Sequence, residues 1–163
     1  MKAVKFIVLL ICLQSCSDPE EQMQLFIQNQ TQDTLRIQLF PDSVFQHGEG
    51  WYKSKNTSGS YEETEFILNP ARKQSLFIST VTDRNPAKLL GGLFDSITIF
   101  PVGNTLPLIH FQPDSAIGYA TNPYESEANW NLEHNTYKFH TNFSTQKTES
   151  DDYIFVVSPE KIQ

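Results

Sequence analysis

Eight short runs rich in β-branched, aliphatic and aromatic residues punctuate this chain, and their lengths leave little room for anything but strands. In the clearest of them Leu35, Ile37 and Leu39 alternate with Arg36 and Gln38, so an extended segment would have one apolar face and one wet face. The run 25–27 precedes it across Asn29-Gln30-Thr31-Gln32-Asp33, which predicts a hairpin with one buried face. The other six runs, 63–68, 75–81, 96–100, 106–111, 136–140 and 153–157, are rich in Ile, Phe, Val, Thr and Tyr. They are bounded by Asn-Pro, Pro-Val-Gly-Asn, Gln-Pro-Asp and Ser-Pro, all turn formers. Short strands at this spacing predict an all-β fold: an antiparallel two-sheet β-sandwich, Ig-like or jelly-roll-like.

Helix is scarce. Asp83-Arg84-Asn85-Pro86 supplies a cap and a first-turn proline, and Gly91-Gly92 supplies a stop, so one or two turns are expected over 83–92. They would bring Leu89, Leu90, Leu93 and Phe94 over an open edge or end of the sandwich. A second short turn is expected at 123–128. No repeat or long linker divides the chain, so 23–163 reads as a single domain.

The first 22 residues have a different logic. Lys2 and Lys5 precede an unbroken apolar stretch, Phe6 to Leu13, and then Gln14-Ser15-Cys16. That is the anatomy of an export signal. Eight apolar residues fall far short of the roughly 20 that span a bilayer as a helix, so 1–15 is expected to be removed. Leu13-Gln14-Ser15-Cys16 resembles the bacterial lipobox, which implies that Cys16 is acylated and becomes the first residue of the mature chain.

Cysteine usage agrees with this reading. Of the two cysteines, Cys12 lies inside the apolar stretch, so the mature domain has no thiol beyond Cys16. Disulfides, thiolate zinc sites and cysteine nucleophiles are therefore excluded from the domain, which must be held by its core. Residues 16–22 then form an acidic, polar tether, Ser17-Asp18-Pro19-Glu20-Glu21-Gln22 following Cys16. The tether resembles the acidic export signal of surface lipoproteins of the Bacteroidota. The rest of the mature chain resembles envelope lipoproteins of that group, in blocks such as 29–35 and 89–97. The resemblance implies the outer membrane, with the cell surface favoured over the periplasmic face, and implies no activity.

Loss of Lys2 and Lys5 takes the net charge from -7 to -9. The ten remaining Lys and Arg (12 minus 2) are scattered among 19 acidic residues, which argues against a nucleic-acid partner. No catalytic motif stands out, and no cofactor is implied. His47, His110, His134 and His140 lack the spacing of a metal pair, and no metal site is expected. Gly-x-Ser-x-Gly is absent. Asp83, Asp95 and Glu133 could pair as carboxylates only if the fold joined them. Glu62-Glu63-Thr64-Glu65 and Ser150-Asp151-Asp152 read as solvated loop charge.

Aromatic residues beside expected loops are the better ligand candidates. Trp51 and Tyr52 open the longest loop, and Trp130 lies beside another; each could stack on a glycan or anchor a peptide. Asp33-Thr34-Leu35, Asp42-Ser43-Val44, Asp95-Ser96-Ile97 and Asp114-Ser115-Ala116 resemble the Asp-Ser/Thr-aliphatic acceptor pattern for O-linked glycan in exported Bacteroidota proteins. Thr34, Ser43, Ser96 and Ser115 are thus candidate acceptors wherever the hydroxyl is exposed. Two functional expectations follow: a non-enzymatic envelope module binding a protein, peptide or glycan, or a small hydrolase whose carboxylates and histidines only the fold assembles. A cleft with converging titratable groups would separate them.

Overall fold

The computed structural model describes residues 22–41, 64–79, 84–140 and 145–163. Cys16, Ser43, His47, Trp51, Tyr52 and Asp83 lie outside them. Among the described residues the chain forms an all-β sandwich with one helix. The elements are β1 (Gln22–Asn29), β2 (Leu35–Pro41), β3 (Glu65–Leu68), β4 (Lys73–Ser79), α1 (Pro86–Leu93), β5 (Phe94–Pro101), β6 (Ile109–Gln112), β7 (Ser115–Ile117), β8 (Asn131–His140) and β9 (Thr145–Val157). A four-stranded sheet has the order β4-β1-β9-β8 and a five-stranded sheet the order β3-β2-β5-β6-β7. All neighbours are antiparallel except β1 and β9, the first and last strands, which run parallel.

The expected hairpin between 25–27 and 35–40 does not form. β1 belongs to the four-stranded sheet and β2 to the five-stranded one, so the intervening residues arch across the core. Alternation shows that each strand has a buried face, but both faces can be buried against each other as well as side by side. Leu25 and Ile27 of β1 share one buried cluster with Leu35, Ile37 and Leu39 of β2. β3 and β4 repeat the crossing through Asn69-Pro70-Ala71-Arg72, where Ala71 adopts a left-handed φ of 58°.

Both arches converge on Asn29, which is 0% exposed. Its Nδ2 donates to the carbonyls of Asp33 (2.8 Å) and Leu68 (3.0 Å). Its Oδ1 accepts from Thr31 N–H (2.9 Å) and Thr31 Oγ1 (2.7 Å). Its backbone N–H donates to Arg72 and its carbonyl accepts from Ala71. One side chain thus satisfies polar groups from both crossings that water cannot reach.

The core between the sheets is finished by aromatic rings. Phe111 meets Tyr119 and Phe155 edge-on at 5.6 and 5.4 Å between centroids, and Trp130 meets Phe155 at 5.7 Å. Tyr119 also clasps the C-terminal segment: its hydroxyl donates to Val156 O and accepts from Ser158 N–H, both at 2.8 Å.

α1 starts as its residues foretell. Asn85 Oδ1 accepts from Lys88 N–H at 3.0 Å and Pro86 occupies the first turn. Leu90, Leu93 and Phe94 are buried and Leu89 packs against them. Gly91 and Gly92 lie within the helix rather than beyond it, because β5 begins directly at Phe94. The second expected turn is a short 3-10 turn at Glu127–Asn129.

The Gln-Pro-Asp turn joins β6 to an edge strand, β7, that has too few apolar residues to be read in advance. Likewise β8 and β9 run well beyond the expected 136–140 and 153–157, because polar residues 145–152 are held extended by pairing with β8. Ser150-Asp151-Asp152, expected as loop charge, is therefore strand.

Two substitutions test this architecture by urea unfolding. Asn29→Ala should cost about 3 kcal/mol, since it strands buried groups of two arches at once. Gly118 has a φ of +79°, and a Cβ there would collide with the Leu108 carbonyl. Gly118→Ala should cost about 2 to 3 kcal/mol, while the exposed helical Gly92→Ala should gain about 0.5 to 1 kcal/mol.

Candidate functional site

Consecutive residues of a strand point to opposite faces, and β9 uses this at Asp151 and Asp152. Asp151 stands opposite Met23 of β1 and His134 of β8, on the face that carries Tyr153 and Phe155 into the core. Asp152 stands opposite Gln24 and Glu133, on the outer face.

On the core-facing side, β8 and β9 extend past the first described residue of β1, leaving a cleft of about 420 Å³. Its lining is polar: Gln22, Arg84, His134, Asn135, Thr136, Glu149, Ser150 and Asp151. Asp151 organises it. Oδ2 accepts from Arg84 Nη1 at 2.9 Å and Oδ1 accepts from His134 Nδ1 at 2.7 Å. His134 is 76% exposed at its side chain, so this is an ion-pair network open to water and not a sequestered dyad. Beside it the buried Tyr153 phenol is pushed above its usual pKa, first by burial and then by the Glu127 and Asp151 carboxylates, with Arg84 pulling the other way.

On the outer side, Asp152 is 0% exposed yet faces three donors: Ser150 Oγ (2.7 Å), Asn135 Nδ2 (2.8 Å) and Tyr137 Oη (2.6 Å). Burial, and then the hydrogen bond and charge of Asp152, push the Tyr137 phenol well above the tyrosine range. Nearby, Lys73 reaches across the sheet from β4 to β8. Its Nζ lies 4.8 Å from the Phe26 ring centroid and bonds Glu133 Oε2 at 3.0 Å. This face is a structural clasp, in which Asp152 and its three donors bond one another while the neighbouring Gln24 Oε1 is buried without a hydrogen-bond partner.

Of the described residues proposed from sequence, the fold brings His134 into the cleft and leaves Trp130, Asp95, Glu133 and His110 out of its lining. Trp130 is 6% exposed, its indole N–H donating to Pro123 O at 2.9 Å, so it packs in the core and offers no loop surface. Asp95 starts β5 in one sheet, and Glu133 is tied to Lys73 on the outer face of the other. His110 bonds Thr98 at 2.8 Å. Ser96 is 8% exposed, which removes it as a glycan acceptor in the folded chain. Thr34 and Ser115 are partly exposed, with hydroxyls reaching Asn69 and Gln112 at 3.4 Å.

Sequence reasoning missed Arg84, Glu149, Asp151 and Gln22. Arg84 is far from Asp151 along the chain and nothing in the spacing joins them, whereas strand periodicity through 149–151 would have placed Glu149 and Asp151 on one face had β9 been read as longer. Among the described residues no group of three or more His, Cys, Asp or Glu is arranged to hold a metal ion.

Comparison with family models, curated proteins and solved structures finds no match to this chain.

Tyr137 gives a pH test with a definite sign. Its folded pKa is raised above the unfolded value of about 10, so its contribution is complete below that pH and is lost as pH rises further. Tyr137→Phe should cost about 1 to 2 kcal/mol in urea at pH 7 by removing a donor from buried Asp152. Its stability should then fall less steeply than that of the wild type between about pH 10 and 12.

Proposed function

We propose that this chain is a lipid-anchored envelope lipoprotein, held at the outer membrane through Cys16, whose sandwich acts as a binding or accessory module rather than a hydrolase. The anchor is supported by the basic start, the short apolar stretch and the lipobox-like Leu13-Gln14-Ser15-Cys16. The preference for binding rests on one observation, the composition and bonding of the polar cleft. His134 is aligned by Asp151, as a general base would be, but among the described residues no hydroxyl nucleophile is bonded to its imidazole. Ser150 Oγ is committed to Asp152 on the other face, and no bond links Thr136 to the imidazole among the described residues. Asp95 and Glu133 sit on different sheets, so the carboxylate pair of a glycosidase is not assembled from them.

What the cleft does offer is a set of carboxylate, imidazole and guanidinium groups around a space of ligand size. Such groups recognise hydroxyl, phosphate and ammonium groups by hydrogen bonding. The cleft also begins at Gln22, six residues after Cys16, so a ligand bound there would lie at the anchored end of the domain.

Metabolic labelling with a palmitate analogue tests the anchor. Wild-type chain should carry label and partition with membranes, and Cys16→Ala should be unlabelled and retain residues 1–15. A wild-type chain recovered soluble and unlabelled would sink the proposal.

A further inference from the structure

We infer that the cleft faces the bilayer and takes a phosphoethanolamine headgroup, its phosphate against Arg84 and its ammonium against Glu149 and Asp151. The inference rests on the anchoring reading and narrows it to a ligand. Position comes first. Five residues, 17–21, separate Cys16 from Gln22, and fully extended the six steps between the two reach at most about 20 Å. Gln22 lines the cleft, so the cleft stays close to the acylated residue whatever path the tether takes. The other end of β1, at Asn29, carries the arches and the turn after β5, where Val102 N–H bonds Thr34 O. That end is the one held away from the membrane.

Charge selects the ligand class. Among the described residues that line it, the cleft sets one guanidinium, already bridged to Asp151, and an imidazole beside two carboxylates. A simple anion would meet Glu149 and Asp151, and a simple cation would meet Arg84. A zwitterion with phosphate and ammonium a few atoms apart satisfies both. The mature net charge of -9, from the stated -7 less Lys2 and Lys5, repels anionic membrane surfaces and carries no such penalty toward a neutral headgroup. A primary ammonium has N–H donors for carboxylates, which the quaternary ammonium of phosphocholine lacks. The volume of about 420 Å³ suits a small polar group.

The test uses unacylated mature chain, residues 16–163 with Cys16→Ser, sedimented with vesicles of phosphatidylcholine alone, with added phosphatidylethanolamine, or with added phosphatidylglycerol. Binding should appear only with phosphatidylethanolamine and should be displaced by soluble glycerophosphoethanolamine. Glu149→Gln, an exposed strand position, should weaken it about ten-fold, and adding Asp151→Asn should abolish it with the melting cooperativity kept. Equal sedimentation with all three vesicles, none with any, or an unaffected Glu149→Gln would overturn the inference. An unlabelled Cys16 in cells overturns the anchoring reading; a labelled Cys16 without phosphatidylethanolamine preference overturns this inference alone.

Discussion

Every hydrogen-bonding group of the Asn29 carboxamide is occupied, and its partners belong to two separate stretches of chain, 31–33 and Leu68. Two of the four crossings between the sheets among the described strands, β1 to β2 and β3 to β4, meet at this residue. An arch carries backbone groups past the edge of two sheets without a ladder to receive them, and burying such groups unpaired costs more than most single contacts return. A side chain with two donors and two acceptors at a fixed distance from the backbone solves this for both arches together. The sheets can then bury Leu25 and Ile27 against Leu35, Ile37 and Leu39, which is the apolar contact that the sandwich is built on.

How much of this was legible depends on whether the signal was local. Alternation in 35–39, the turn formers, and the Asn85-Pro86 start of the helix are local, and strand class, sandwich architecture and α1 follow from them. Sheet membership is not local. Asn29-Gln30-Thr31-Gln32-Asp33 fits a hairpin and an arch equally well by composition, and what separates them is distant in sequence: β1 pairs with β4 and β9, β2 with β3 and β5, and Asn29 bonds Leu68. The extent of β9 was hidden for the same reason, because Thr145 to Asp152 carry no apolar alternation and are extended through β8. With that strand unread, the cleft was unreadable too. His134 was noted, but the Asp151 and Arg84 that orient it come from β9 and from the residues before α1.

The adjacent aspartates show how a strand separates roles by parity. Asp151 and Asp152 differ by one residue and by one face. The first keeps part of its surface and bonds a guanidinium and an imidazole; the second has none and bonds a hydroxyl, an amide and a phenol. A buried carboxylate among neutral donors stiffens the β8–β9 pair and so fixes the geometry of the opposite face, where the open groups lie. Trp130 makes a related point in the other direction. A tryptophan beside a loop suggests stacking on a ligand, but its indole N–H has a carbonyl partner inside the fold and its ring lies against Phe155.

The parallel pairing of β1 with β9 has a mechanical consequence. β1 lies inside its sheet, with β4 on one side and β9 on the other, and its eight residues are in register with β9 from Gln22 to Asn29. A pull on the residue before Gln22 acts along the strand axis and across the inter-strand bonds, so both ladders are loaded in shear and their bonds stretch together. Had the chain begun on an edge strand entered from its far end, the same pull would peel bonds one at a time. A domain dragged by its leading strand therefore resists extraction through the collective strength of two ladders.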